Sequence, residues 1–131
     1  MPNPVVHFEI IGRDPQATSD FYRKAFDWTI PDPPGSGANG VATYYYVSTD
    51  GQPFAAKGIN GGFGSLPPGY DGHVTFYVGV EDVAEALKKI EALGGTTMME
   101  AQRAPDGPVV GLFQDPQGNT IGLVGIGDDA K

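Results

Sequence analysis

The chain has 131 residues and no cysteine, which excludes disulfides, thiolate metal ligands and a thiol nucleophile. Basic residues are scarce: eight Lys and Arg stand against sixteen Asp and Glu, for a formal net charge of −8. So acidic a surface repels phosphate backbones and anionic headgroups, so neither nucleic acid nor a membrane is expected as a partner. No apolar run reaches the roughly 18 residues that a membrane helix needs. Met1-Pro2-Asn3-Pro4 carries neither a basic nor an apolar leader region, so a soluble cytoplasmic protein is the expectation.

What is present is a core's worth of hydrophobic residues, 40%, together with 20 glycines and 12 prolines. The glycines and prolines gather between periodic segments and mark turns. Residues 5–11 alternate as a strand, with Val6, Phe8 and Ile10 on one face and His7 and Glu9 on the other. Asp14 is an N-cap and Pro15 opens a helix through Phe26, its apolar stripe drawn from Ala17, Phe21, Tyr22, Ala25 and Phe26. Trp28-Thr29-Ile30 can begin a further strand. Residues 31–40 read as a loop, 41–48 as a strand, 49–51 as a turn and 54–60 as a last strand. After a linker over 61–72 the pattern restarts. Residues 73–80 form a strand. Asp82 and Glu85 make a capping box, and Val83, Ala86, Leu87, Ile90 and Leu93 supply the stripe of a second helix, ended by Gly94-Gly95. A strand over 96–100, a loop over 103–108 and a hairpin over 109–126 complete the half. The order strand–helix–strand–strand–strand occurs twice, which predicts an α+β fold with module one over 4–60 and module two over 73–126.

The hairpin turn Asp115-Pro116-Gln117-Gly118-Asn119, followed by Thr120-Ile121-Gly122-Leu123, closely resembles the last hairpin of the vicinal oxygen chelate superfamily. Val6-His7-Phe8 ahead of Asp14, and Phe21-Tyr22 with Phe26 before Trp28, resemble its first strand and helix. The superfamily includes glyoxalases, bleomycin-resistance proteins and extradiol dioxygenases. The resemblance implies two βαβββ modules forming an incomplete eight-stranded barrel-like sheet, helices outside, often as a homodimer. It also implies four metal-ligand positions, which fall on His7, Gly58, Thr75 and Gly122. Only one can ligate, and a zinc- or iron-like ion needs three or four protein donors. The expectation is therefore no metal and no cofactor, with a displaced ion on His7, Glu9 and His73 as the alternative.

Strand parity turns His7, Glu9, His73, Thr75, Tyr77, Thr120, Gly122 and Val124 toward the interior of such a sheet. His7 and Glu9 are the catalytic candidates, the carboxylate favouring the imidazolium. His73, Thr75, Tyr77, Asn60, Gly58, Gly122 and Phe113 are the ligand-binding candidates, the glycines leaving room where carboxylates would stand. Tyr44, Tyr45, Tyr46, Phe54 and Phe63 are candidates for its lining, with Tyr45 pointing opposite to Tyr44 and Tyr46. Asp32, Asp50 and Asp106 lie in turns that account for them. The expected function is binding of a small, partly apolar molecule, with acid–base chemistry at His7 and Glu9. A metal-dependent lyase, isomerase or dioxygenase is one alternative. An acidic drug-sequestering protein of the bleomycin-resistance kind is the other.

Overall fold

The computed structural model describes residues 2–33, 44–49, 58–104 and 107–131. The expectations for residues 34–43, 50–57 and 105–106, among them Phe54, Asp50 and Asp106, lie outside the described residues. The fold is α+β, with two helices and seven strands among the described residues. It divides into two compact units, one of residues 7–74 and one of residues 1–6 with 75–131.

In the first of these, β1 (Val5–Gly12) pairs in parallel with β3 (Gly61–Ser65), and β3 pairs antiparallel with β2 (Tyr44–Val47). The strand that pairs with β1 in this half is Gly61–Ser65; residues 58–60, expected to end a strand, lie just ahead of it, and it stands where a linker was expected. Its sequence, GGFGS, has almost no strand propensity. It is a strand because neighbouring side chains fill the space its glycines leave. A Cβ on Gly61 would meet the Phe8 ring at 2.5 Å, and one on Gly64 would meet Ile11 Cδ1 at 2.8 Å. Thr29 makes only an isolated bridge to Ser48.

Helix α1 (Pro15–Phe26) starts where Asp14 accepts from the Ala17 N–H at 3.0 Å and ends at Asp27, which takes φ 57°. Its inward face differs from the expected stripe. Phe21 and Phe26 are 62% and 60% exposed, whereas Ser19 is fully buried and Tyr22 packs on the core. Ser19 returns its hydroxyl to the Pro15 carbonyl at 2.7 Å, so a small, internally satisfied residue lets the helix approach the rings beneath. Those are Phe63, wholly buried, with Tyr45, Val47 and Ile30, flanked by Phe8, Ile10, Tyr22 and Trp28. Trp28 stacks on Tyr22 at 5.1 Å and 8°. Phe63 thus belongs to the core beneath α1 and not to a ligand lining. Tyr45 is buried on the helix side and Tyr46 is exposed on the other, as alternation required.

In the other unit β4 (His73–Val80), which starts at the boundary, pairs in parallel with β7 (Thr120–Gly125). Strand β6 (Val109–Gln114) pairs antiparallel with β7 and with β5 (Thr96–Arg103), which runs three residues further than expected. Helix α2 (Val83–Ala92) is capped twice, since Asp82 accepts from Glu85 N–H at 3.1 Å and Asp129 from Val83 N–H at 2.9 Å. Val83, Leu87, Val80 and Leu123 form the core beneath it, with Val78, Ala86, Ile90 and Phe113 against them. Leu93, expected in the stripe, is exposed just beyond the helix end. Val74 and Phe76 are likewise exposed, so only the C-terminal part of β4 runs under α2. The β6–β7 turn is built as anticipated. Gly118 takes φ 88°, and the Asp115 carboxylate accepts from the N–H groups of Gln117 and Asn119, each at 2.9 Å. Those bonds hold the Asp115 carboxyl below the usual range, the Asn119 side-chain amide contributing most.

Candidate functional site

On the β1–β3–β2 face turned away from α1, five side chains are joined in one hydrogen-bonded chain. His7 Nε2 lies 2.9 Å from the Tyr44 hydroxyl, which donates to Glu9 Oε2 at 2.8 Å. The other Glu9 oxygen, Oε1, lies 2.7 Å from His73 Nε2, and His73 Nδ1 lies 2.5 Å from the Tyr70 hydroxyl. Glu9 and His73 are nearly inaccessible, their side chains 9% and 8% exposed. The period-two geometry of β1 puts His7 and Glu9 on this face. Tyr44 reaches it because residues 44 and 46 face away from the helix in β2.

Proton positions follow from this geometry. An ionised carboxylate only accepts, so Tyr44 and His73 both donate to Glu9. Tyr44 has one proton and gives it to Glu9, so His7 Nε2 must donate to the Tyr44 oxygen. That fixes the His7 tautomer. Burial pushes the His7 imidazole below its ordinary value of 6.5 and outweighs the opposing pull of Glu9. Glu9 does favour the imidazolium, but desolvation is the larger effect, and a phenol bridges the two. Burial, with the Glu9 charge second, raises the Tyr70 phenol above 10.0.

The first-half counterpart of Gly122 is Gly62, not Gly58. In β4–β7 the partner of Gly122 is Tyr77, and in β1–β3 the partner of Gly62 is Glu9. Gly58 is exposed three residues before β3, where a Cβ would meet Thr49 Oγ1. Neither Gly62 nor Gly122 leaves open room. A Cβ at 62 would fall 2.1 Å from Cε2, Cζ and the hydroxyl oxygen of Tyr44, and one at 122 would fall 2.6 Å from the Tyr77 ring. A donor side chain cannot stand at either position while these rings stay. His7 Nε2 is directed at the Tyr44 phenol. Among the described residues no group of three or more His, Asp or Glu is arranged to hold a metal ion.

The remaining candidates are placed as follows. Thr75 is buried and donates to the Thr120 carbonyl at 2.6 Å, while buried Tyr77 covers Gly122. Asn60 accepts from the Thr49 N–H at 3.0 Å through its side-chain oxygen, which pins the end of β2. Phe113 packs in the core under α2 and so is not a ligand contact on the opposite face. Tyr70 was not a candidate at all, because it lies in the stretch taken for a linker. Its one sequence signal is Pro67-Pro68-Gly69-Tyr70, a turn that delivers a phenol three residues before His73.

A family model for the Glyoxalase/Bleomycin resistance protein/Dioxygenase superfamily matches residues 5–123. The chain belongs to that superfamily. It is 30% identical over 114 residues to proteins of Mycobacterium tuberculosis (strain CDC 1551 / Oshkosh) and Mycobacterium bovis that bear the name "Putative glyoxylase CFP32". The match covers 84% of this chain and 41% of theirs, so the chain spans about two fifths of these curated relatives. Among solved structures, methylmalonyl-CoA epimerase from Mycobacterium tuberculosis superposes with a TM-score of 0.61 at 13% identity, covering 92% of this chain and 86% of that one. A superfamily member from Vibrio splendidus 12B01 gives 0.58 at 14%, covering 95% and 100%. At such identities the likeness shows the fold alone. Among the described residues no helix is long and apolar enough to cross a membrane.

Proposed function

We propose that this chain binds a small, partly apolar molecule and exchanges a proton with it through His7 and Glu9, without a divalent metal ion. The observation that carries this is the Tyr44 hydroxyl, which stands where a side chain on Gly62 would begin and joins His7 to Glu9. A neutral imidazole backed by a carboxylate is the arrangement of a general base, because the carboxylate stabilises the imidazolium that forms. Here the backing passes through a phenol, which also fixes the tautomer. The ligand's acidic proton goes to the His7 ring, and the buried negative charge of Glu9 balances it.

Methylmalonyl-CoA, bound in one solved relative, and glyoxylate serve as probes. Calorimetric titration of metal-stripped protein is expected to show binding that His7→Ala removes, while the melting temperature falls by only a few degrees. A large loss of melting temperature with binding intact would overturn the assignment of His7. Stoichiometric zinc, iron or manganese in the purified protein, lost on His7→Ala, would overturn the metal-free part. The net charge of −8 favours a second reading, sequestration of a cationic drug. It requires binding to a cationic glycopeptide that weakens steeply with salt.

A further inference from the structure

We infer that the Tyr70 hydroxyl is a second proton-transferring group of this site, positioned by His73 and Glu9, and that it meets a hydroxyl or carbonyl oxygen of the ligand. The inference rests on the site proposed above only through the shared Glu9 carboxylate.

Three observations build it. The first is the order of the groups: carboxylate, imidazole, hydroxyl, at 2.7 and 2.5 Å. Glu9 can only accept, so His73 Nε2 carries a hydrogen, and in the neutral ring Nδ1 is then left to accept from Tyr70 O–H. That is the sequence of contacts by which an imidazole held by a carboxylate draws a proton from a hydroxyl.

The second is the fixed presentation of Tyr70. The Tyr70 N–H donates to the Pro67 carbonyl at 3.1 Å, with Pro68 and Gly69 between them and Gly69 at φ 78°, the arrangement of a type II turn. Two residues on, Gly72 takes φ 99°, and a Cβ there would fall 2.4 Å from the Ile11 carbonyl oxygen. The loop backbone is thus pressed against β1 at a point only glycine allows, and Tyr70 and His73 straddle it.

The third is the contrast in burial. Glu9 and His73 are almost sealed, while Tyr70 is half-exposed, so the phenol is the accessible end of this arm. Burial and the Glu9 charge keep it protonated near neutrality.

The proton balance closes without a co-reactant. Starting from the His73 imidazolium, Tyr70 gives its proton to a ligand oxyanion while His73 Nδ1 gives one to the Tyr70 oxygen, which leaves the ring neutral. In reverse, the ligand O–H proton passes to Tyr70 as the Tyr70 proton passes to His73 Nδ1. The ligand is left as an alkoxide or enolate and the imidazolium lies against the Glu9 carboxylate. An oxygen acid or its conjugate base matches a phenol in this way, and that is the substrate class inferred.

Phenylmethanesulfonyl fluoride tests the activated hydroxyl without a known substrate. The Tyr70 oxygen forms an O–S bond, fluoride leaves, and the phenolic proton goes to His73. Intact mass and peptide mapping should show one adduct per chain, at Tyr70, formed at least tenfold faster than at exposed Tyr46. His73→Gln should slow it at least tenfold, and Tyr70→Phe should abolish it with the circular dichroism unchanged. Equal rates at Tyr70 and Tyr46 in the unmodified protein would overturn the inference even if the variants fail to fold. So would a folded His73→Gln protein that reacts as fast as wild type. The His7→Ala titration reports on the base and the Tyr70 adduct on this arm, so either can fail alone.

Discussion

Replacing Gly62 with alanine should act on the site through Tyr44 and not through the backbone of β3. The added Cβ would lie 2.1 Å from Cε2, Cζ and the hydroxyl oxygen of Tyr44, all at the far end of a half-buried side chain. Such a ring rotates aside more cheaply than a strand shifts, so the cost is the hydrogen bonding that Tyr44 gives up. A hydrogen bond to a charged acceptor such as Glu9 contributes about 1.5–3 kcal/mol. Removing a glycine from a strand interior gains back about 0.5–1 kcal/mol. The net destabilisation is about 1–2 kcal/mol, which for a chain of this size lowers the melting temperature by roughly 3–10 °C. Urea denaturation of Gly62→Ala, Tyr44→Ala and the double variant measures the coupling. With Tyr44 already gone, Gly62→Ala should be neutral or mildly stabilising. Equal destabilisation in both backgrounds, or none in the wild type, would refute the claim that ring and glycine form one unit.

Three further outcomes follow from the same geometry. Gly122→Ala meets Tyr77 at Cδ2, Cε2 and Cγ, along one edge of a buried ring down to its root; overpacking of about 1–3 kcal/mol is expected in thermal melts. Glu9→Gln removes a negative charge that raises both His7 and Tyr70; NMR titration should find both pKa values lower, and movement of either one upward would contradict the cluster. Because the folded pKa of His7 lies below its unfolded value, the unfolded chain binds more protons as the pH falls from about 6.5 through the folded pKa. Stability should therefore be complete above that range and decline through it, and His7→Gln should flatten this limb in pH-dependent denaturation.

Much of the fold was written in periodicity. Alternation at His7-Phe8-Glu9 and at Tyr44-Tyr45-Tyr46 sorted side chains between the helix side and its opposite correctly, because strand parity is a local property, although Val6 is exposed. Caps and turns at Asp14, Asp82 and Asp115 were legible for the same reason. Strand β3 was not, since GGFGS is held in the sheet by partners distant in sequence, and glycine in a strand gives no sign of whose ring will cover it. The same error displaced the counterpart of Gly122 from 62 to 58 and buried Tyr70 in an apparent linker. His7 and Glu9 were recognisable as neighbours on one face. Their joining through Tyr44, and the bond from Glu9 to a histidine 64 residues away, are tertiary facts. The helix stripe failed at Phe21 and Phe26 because a small serine, and not a large apolar residue, was needed where α1 comes closest to the sheet.

On the Tyr44 side, β3 supplies backbone and hydrogen atoms but no bulk of its own, because Gly62 and Gly64 occupy that face. The contour a visiting molecule would feel there is lent by its neighbours, by Tyr44 from one flank and by Ile11 from the other. Exchanging those two side chains can resculpt the surface while the ladder that spaces His7 and Glu9 stays in register. Tyr44 also joins His7 to Glu9, so a change at Ile11 alters the contour alone, whereas one at Tyr44 alters contour and proton network together.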